Sequence, residues 1–136
     1  MAEYNKALPQ PTPDTQPYWD GLKEHIIRMK RCLDCSKHHH YPRALCPHCG
    51  STNLEWTTIS GKGKLYTYTI NHRPPRGWEE DAPYTVAIVE MDEGPRVMTT
   101  IVGTDADPDL LKPDSAVEPV FDDVTDDITL LKYKLS

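Results

Sequence analysis

The sequence Cys32-Leu33-Asp34-Cys35, followed after ten residues by Cys46-Pro47-His48-Cys49-Gly50, decides how the first half of this chain folds. These are the only four cysteines in the sequence. Each Cys-x-x-Cys pair presents two sulfurs from one tight turn, and two such pairs at short separation complete a tetrahedral site. We therefore predict that Cys32, Cys35, Cys46 and Cys49 bind one metal ion. Zinc is the expected ion, and iron is the alternative in the same four sulfurs.

Two other uses of four cysteines agree less well with the sequence. Disulfide bonds require an oxidising compartment, whereas residues 1–17 contain no apolar secretory leader, so we expect a reducing cytoplasm and free thiols. A redox-active Cys-x-x-Cys is usually a single pair that opens a helix, whereas Pro42 and Pro47 interrupt this region. A site closed by four thiolates leaves no position for substrate, so its metal is expected to be structural.

Cationic and imidazole side chains surround the cysteines in the sequence. Four thiolates and a divalent ion carry a net charge of about −2, which neighbouring cations are expected to offset. These cations are Arg28, Lys30, Arg31, Lys37 and Arg43. His38, His39 and His40 lie between the two pairs and are possible ligands. Because four cysteines already complete the site, we expect these histidines to form an exposed polar loop.

The composition describes a small acidic chain with a modest core. It has 136 residues, a formal charge of −6, 13 prolines and one phenylalanine. This length allows one compact domain joined to a small metal-stabilised module. An acidic chain matches nucleic acid poorly, and no apolar run is long enough to span a bilayer. We therefore expect a cytoplasmic protein that binds neither membranes nor nucleic acid.

The first 58 residues are predicted to form an arm, a helix and a ribbon. Residues 1–14 contain three prolines and no apolar periodicity, so we expect a flexible arm. Thr15 can cap a helix, and Tyr18, Trp19 and Leu22 then follow at helical spacing. Tyr18 and Trp19 either anchor a partner or pack on the chain's own ribbon. The helix and the zinc ribbon together occupy residues 15–58.

From residue 59 onward the hydrophobic pattern has a period of two, which predicts β-strands. Five strands are expected, over residues 64–70, 84–91, 96–102, 116–121 and 128–135. A mainly β protein follows, with an N-terminal helix and zinc ribbon and then a five-stranded OB-fold barrel over residues 59–136. Gly61 and Gly63 are expected to form a bulge that bends the first barrel strand. Tyr66 and Tyr68 are expected to point into the barrel core.

No catalytic residue is expected in this chain. Nucleophilic catalysis needs an activated side chain beside a base, and the metal takes every cysteine. His72 is the only histidine outside the ribbon and its approaching helix, and no pattern pairs it with a nucleophile. The residues alone thus indicate a scaffold with a binding surface.

The order of short motifs along the chain resembles one known family. The motifs are Tyr18-Trp19, Cys32-x-x-Cys35, Pro42-Arg43, Cys46-Pro47-x-Cys49-Gly50-Ser51, Trp56, Ser60-Gly61-Lys62-Gly63, Pro83-Tyr84 and the strands around Asp92-Glu93-Gly94. Together they resemble the OB-fold family associated with acyl-CoA enzymes, whose members begin with a rubredoxin-like zinc ribbon. The resemblance covers roughly residues 17–135. Ser36 and Asp114-Ser115 depart from it, because the family usually has glycine in these two turns.

The resemblance implies an accessory role. Members of this family are similar to small non-catalytic subunits of thiolases, thiolase-like aldolases and acyltransferases. By this resemblance we expect a thiolase-like catalytic partner, a heterotetramer with two copies of each chain, and acyl-CoA at or near the interface. The chain would support assembly of the complex or substrate access, and the four cysteines carry over as metal ligands.

Within this reading, the long loop between the first two barrel strands is a candidate for binding CoA or the partner. It contains His72, Arg73, Arg76 and Trp78. Arginines suit the phosphates of CoA, and tryptophan can cover adenine or an acyl chain. A solvated loop is the alternative.

Two alternative functions remain for the whole chain. They are a rubredoxin-like iron electron carrier and a nucleic-acid-binding barrel that stacks bases on Tyr66 and Tyr68.

Overall fold

The computed structural model describes residue 4 and residues 6–136 and confirms a mainly β fold. In this part of the chain, one helix, α1 (Gln16–Lys23), precedes two antiparallel sheets. The first sheet has the order β2-β1-β3 and contains β1 (Ile27–Cys32), β2 (His38–His39) and β3 (Leu54–Ile59). The second has the order β6-β5-β4-β7-β8. Its strands are β4 (Gly63–Asn71), β5 (Tyr84–Met91), β6 (Arg96–Thr99), β7 (Ala116–Asp123) and β8 (Thr129–Leu135).

The five-stranded sheet curls into a nearly closed barrel, as predicted. Its two edge strands meet beyond the end of β6, where Ile101 pairs in parallel with Tyr133 of β8. The Tyr133 N–H donates to the Thr100 carbonyl (3.1 Å), and the Val102 N–H donates to the Tyr133 carbonyl (2.8 Å). Toward the start of both strands this pairing ends, and only the Thr99 hydroxyl reaches across to the Leu131 carbonyl (3.1 Å). The barrel is therefore open along one seam.

The helix and the ribbon share one hydrophobic core with the barrel. Leu22 of α1 and Met29 of β1 are fully buried in the same cluster as Leu65 and Tyr133 of the barrel. Ribbon and barrel also meet at Gly61, where an added Cβ would lie 2.2 Å from the Ile27 Cδ1 atom. Such close contact fixes the position of the ribbon on the barrel.

The bulge in the first barrel strand is at Tyr66, and the prediction at Gly61 and Gly63 is wrong. The register of β4 against β5 shifts between Leu65 and Thr67. The extra residue shifts by one position the alternation of side chains between the inside and the outside of the barrel. Leu65 therefore points into the core, whereas Tyr66 is 45% exposed beneath the guanidinium of Arg96, which lies 3.9 Å from the ring centroid. Burial of Tyr66 was thus wrongly predicted.

Gly63 has a different role, because its backbone lies against the neighbouring strand. An added Cβ at Gly63 would lie 2.1 Å from the Glu90 carbonyl oxygen. Real Cβ atoms essentially never approach so closely. The glycine allows β4 and β5 to pair at this point.

The histidine segment, residues 38–40, is partly buried, which corrects the expected exposed loop. His39 belongs to β2, where it pairs with Lys30 of β1, and its side chain is 3% exposed. A strand pairing that the sequence pattern did not indicate therefore brings this histidine inside.

The arm prediction covers residues 1–14, of which Met1–Glu3 and Asn5 lie outside the described residues. Lys6 forms an ion pair with Asp81 (2.8 Å) and lies 5.0 Å from the ring centroid of Trp78. The described part of the arm thus contacts the long loop of the barrel. Among the described residues, no helix has the length and apolar character that a membrane crossing requires.

Candidate metal centre and adjoining groove

Two turns with the same hydrogen bonds present the four cysteines. In the first, the Ser36 N–H donates to the Cys32 carbonyl (2.8 Å), and the Cys32 N–H donates to the Lys37 carbonyl (2.9 Å). In the second, the Gly50 N–H donates to the Cys46 carbonyl, and the Cys46 N–H donates to the Ser51 carbonyl, both at 2.8 Å. Both turns end in left-handed backbone, with φ of 65° at Ser36 and 78° at Gly50. Each is a Cys-x-x-Cys knuckle.

The four sulfurs lie at the spacing of a tetrahedral metal site. All four are within 4.8 Å of one another. The Sγ atoms of Cys32 and Cys49 are 3.6 Å apart, and those of Cys35 and Cys46 are 3.7 Å apart. A Zn–S bond of about 2.3 Å gives tetrahedron edges of about 3.8 Å, whereas a disulfide is about 2.0 Å long. The cysteines are free thiols arranged as a metal site.

Backbone N–H groups stabilise negative charge on the sulfurs. The Cys35 N–H points at the Cys32 Sγ (3.5 Å), and the His48 N–H points at the Cys46 Sγ (3.4 Å). The Cys35 N–H is the main cause that lowers the pKa of the Cys32 thiol to about 7. A lowered pKa favours the thiolate, which is the metal-binding form.

Several of the cations expected to offset the thiolate charge have other partners. Arg28 pairs with Glu24 of α1 (3.2 Å), and Arg31 pairs with Glu55 of β3 (3.5 Å). The Lys30 ammonium donates to the Arg43 carbonyl (3.1 Å). These three side chains support the ribbon backbone and its surface. The sulfurs are supported by backbone amides, which the sequence pattern did not reveal.

A groove of about 780 Å³ lies between α1, the histidine segment and the open seam of the barrel. We call it the seam groove. Its mostly apolar lining includes Tyr18, Trp19, Tyr41, Trp78, Met98 and Leu131. The described residues that line it include the ionisable side chains of His40, Arg43 and Lys132 and no carboxylate.

The structure brings only one of the four predicted loop residues to this groove. Trp78 lines it and packs against Tyr84, with 4.7 Å between the ring centroids. His72, Arg73 and Arg76 are exposed and are not among the residues that line the seam groove. A role for all four in binding CoA or a partner stays a prediction.

Tyr18 and Trp19 lie in the core, with exposed fractions of 5% and 8%. Both residues pack in the core and also line the seam groove, and a role as partner anchors stays a prediction. Sequence reasoning missed Met98, which is 74% exposed on an edge strand, and Tyr41, which is 49% exposed. The available signal for Met98 was its apolar side chain at an outward position of the strand predicted over residues 96–102.

Comparison with known proteins gives the family. One family model, described as the rubredoxin-like zinc ribbon domain of ChsH2, matches residues 19–55. A second, described as the C-terminal OB-fold domain of ChsH2, matches residues 56–122. A DUF35 domain-containing scaffold protein of Methanocaldococcus jannaschii is 37% identical over 80% of this chain and 77% of that protein. The chain belongs to the ChsH2/DUF35 family.

Other proteins similar to this chain carry more specific names. A solved chain from the Ltp2-ChsH2(DUF35) aldolase superposes with a TM-score of 0.81 at 30% identity, covering 94% of this chain and 98% of that chain. The benzoylsuccinyl-CoA thiolase subunit BbsA of Thauera aromatica is 25% identical over 93% of this chain and 81% of its own length. A probable enoyl-CoA hydratase alpha subunit of Thermomonospora curvata is 37% identical over 63% of this chain but only 27% of its own length.

Proposed function

We propose that this chain is a non-catalytic, zinc-binding accessory subunit of a thiolase-type complex that acts on acyl-CoA thioesters. The reaction is cleavage or formation of a C–C bond, and the chain serves assembly of the complex or substrate access. The observation that carries this proposal is the superposition on a chain of the Ltp2-ChsH2(DUF35) aldolase over nearly the full length of both chains. The similarity to a subunit of benzoylsuccinyl-CoA thiolase supports the same class of chemistry.

The use of the cysteines agrees with a non-catalytic role. All four thiols of the chain lie in one cluster, and thioester chemistry by a thiolase-type route needs a free nucleophile beside a base. The catalytic groups are therefore assigned to the partner. We propose two copies of each chain in the complex, located in the cytoplasm, with acyl-CoA at or near the interface.

Zinc is the proposed ion because four thiolates at tetrahedral spacing form a closed structural site. When bound, the ion supplies a cross-link between the two knuckles and no open coordination position. Elemental analysis of the purified protein is expected to give one zinc per chain. Its absorption spectrum is expected to show no band in the visible range. A red, iron-loaded protein whose colour bleaches on reduction would instead favour the electron-carrier alternative.

We divide the chain into the helix and ribbon, residues 15–58, and the barrel, residues 59–136. The meeting point of the two family models near residue 55 supports this division. Within the barrel, His72, Arg73, Arg76 and Trp78 are proposed to contact CoA or the partner. The position of Trp78 in the seam groove supports its share of this role.

The test is purification of the tagged chain from its source cells, followed by mass spectrometry and an assay for acyl-CoA cleavage. We expect a stoichiometric thiolase-like partner whose solubility or activity depends on this chain. A double variant, Cys35→Ser with Cys46→Ser, provides the metal-free control and is expected to lose the partner. Recovery of a lone, colourless and inactive wild-type protein would contradict the proposal.

A further inference from the structure

The edge strands of the barrel leave backbone groups free on both sides of the seam groove. Hydrogen-bonded and non-bonded pairs alternate along an antiparallel ladder. The bond from the Met91 N–H to the Pro95 carbonyl (2.9 Å) sets this alternation for β5 and β6, so the N–H and C=O of Met98 point away from β5. On β8, the backbone N–H and C=O of Tyr133 bond to residues that follow β6. Backbone groups two residues apart on a strand point to the same side, so the Leu131 N–H points into the same opening.

These groups are available for pairing in the part of the chain that the structure describes. There, neither the Met98 backbone nor the Leu131 N–H has a hydrogen-bond partner. A free strand edge that also exposes a large apolar side chain is a template for another extended chain, and native proteins normally cover such edges. Met98 is 74% exposed at this edge.

The groove walls indicate the chemistry of the occupant. Tyr41, Trp78 and Leu131 present apolar surface, while Arg43 and Lys132 bring positive charge, although the whole chain has a formal charge of −6. The Lys132 ammonium is shared with Asp122 on the neighbouring strand β7, so Arg43 is the cation more available to a ligand. An apolar occupant that carries a carboxylate fits this combination.

We propose that an extended segment of the catalytic partner, with apolar side chains and a carboxylate, pairs with the free edge of β6 in the seam groove. Backbone hydrogen bonds between Met98 and the partner segment form the strand pairing. Alternate side chains of the segment enter the groove, and Arg43 binds its carboxylate. The inference rests on the proposed function, since it names the surface by which the accessory subunit binds its partner.

The contribution of the Met98 backbone to partner binding is tested with two apolar substitutions, of which only one keeps the backbone N–H. Met98→Pro removes the N–H that points away from β5, and an edge strand tolerates proline at such a position. Met98→Leu keeps this N–H. With the purified partner, we expect Met98→Pro to raise the dissociation constant roughly tenfold and Met98→Leu to change it less than about threefold. Arg43→Glu is expected to weaken binding, and Arg43→Lys to retain most of it. Equal effects of Met98→Pro and Met98→Leu would overturn the inference.

Photocross-linking provides a readout that does not depend on the folding of the proline variant. Benzoylphenylalanine is placed at position 98 and, as the control, at Leu33, which is 44% exposed on the first knuckle. A cross-link from position 98 to an apolar, acid-containing segment of the thiolase-like partner is expected. If the partner still copurifies but the cross-link falls on the chain's own residues 4–14, or forms only from Leu33, the surface is wrong and the proposed function stands. If no such partner is recovered, both fail.

Discussion

Ser36 and Gly50 occupy equivalent places in the two cysteine knuckles, and they differ in how well they tolerate left-handed backbone. Ser36 adopts φ of 65° and Gly50 adopts 78°. A residue with a side chain pays roughly 1–2 kcal/mol to adopt such a φ. Glycine avoids this cost, but its greater freedom in the unfolded chain offsets part of the gain in stability. Ser36→Gly is therefore expected to raise the free energy of unfolding by about 0.5–1 kcal/mol. Urea unfolding of the metal-bound protein measures it.

The matched control for this prediction is Gly50→Ala in the second knuckle. An added Cβ at Gly50 meets nothing within 4 Å, so only backbone strain changes. We expect a loss of about 1 kcal/mol in the free energy of unfolding. If both substitutions destabilise the protein equally, left-handed strain does not distinguish the two knuckles.

His40 makes stability sensitive to mild acid. Burial is the main cause that lowers its pKa to about 4, and its Nδ1 atom has no hydrogen-bond partner among the described residues. Below its unfolded pKa of about 6.5, the unfolded chain binds a proton that the folded chain does not accept until about pH 4. The folded state therefore loses stability as the pH falls through this window.

His40→Phe is expected to remove that sensitivity while keeping the aromatic contacts with Tyr18 and Tyr41. Between about pH 7 and pH 5, the wild type should lose roughly 2 kcal/mol more unfolding free energy than the variant. Denaturant unfolding at both pH values, with metal content measured in each sample, gives the difference. Identical losses in the two proteins would show that His40 does not control the acid response.

At the scale of elements, the pairing of β4 with β5 depends on Gly63. A methyl group there would meet the Glu90 carbonyl oxygen at 2.1 Å, and a strand backbone cannot move aside without breaking neighbouring bonds. Gly63→Ala is expected to cost about 3 kcal/mol in thermal or urea unfolding. Gly103→Ala is the control, because its φ is 77° but its surroundings are open, and it should cost about 1 kcal/mol. A smaller loss at Gly63 than at Gly103 would contradict the steric argument.

The elements with a clear local signal could be predicted from the sequence. The alternation in Tyr84–Met91 predicted β5 with its observed bounds, and the cysteine spacing predicted the two Cys-x-x-Cys turns. The bulge at Tyr66 could not be predicted, because it depends on how β4 aligns with β5 and leaves no mark in the β4 sequence itself. His39 was missed for a similar reason, since two residues are too few to show a strand period.

The seam groove also lay beyond sequence reasoning. Its walls come from α1, the histidine segment, the long loop, β6 and β8, which are distant in the sequence. The loop composition singled out Trp78, which lines the groove, together with Arg73 and Arg76, which are exposed and do not line it. Local residue type indicates what a side chain can bind, whereas topology decides which side chains meet.

For the whole molecule, the metal site is connected to the barrel through one continuous core. The site fixes the end of β1 at Cys32, and the same strand places Ile27 and Met29 in the core beside α1. That core continues into the barrel, where the Tyr133 hydroxyl donates to the Gly61 carbonyl (2.6 Å). A ribbon of this size has little apolar surface of its own, so a bound ion is expected to supply part of its stability. Metal binding should therefore stabilise strands far from the sulfurs.

Removal of the metal is thus expected to loosen the barrel as well as the ribbon. When β1 and α1 lose their order, Leu65 and Tyr133 lose the apolar groups that cover them, and backbone amides of β4 and β8 should exchange faster. Hydrogen exchange with mass spectrometry, before and after chelation, measures this, and restoring zinc should restore protection. The Cys35→Ser, Cys46→Ser double variant should match the chelated protein. If β4 and β8 keep full protection after chelation while only residues 27–59 exchange faster, the ribbon and barrel are independent folding units, and the shared core contributes little to their coupling.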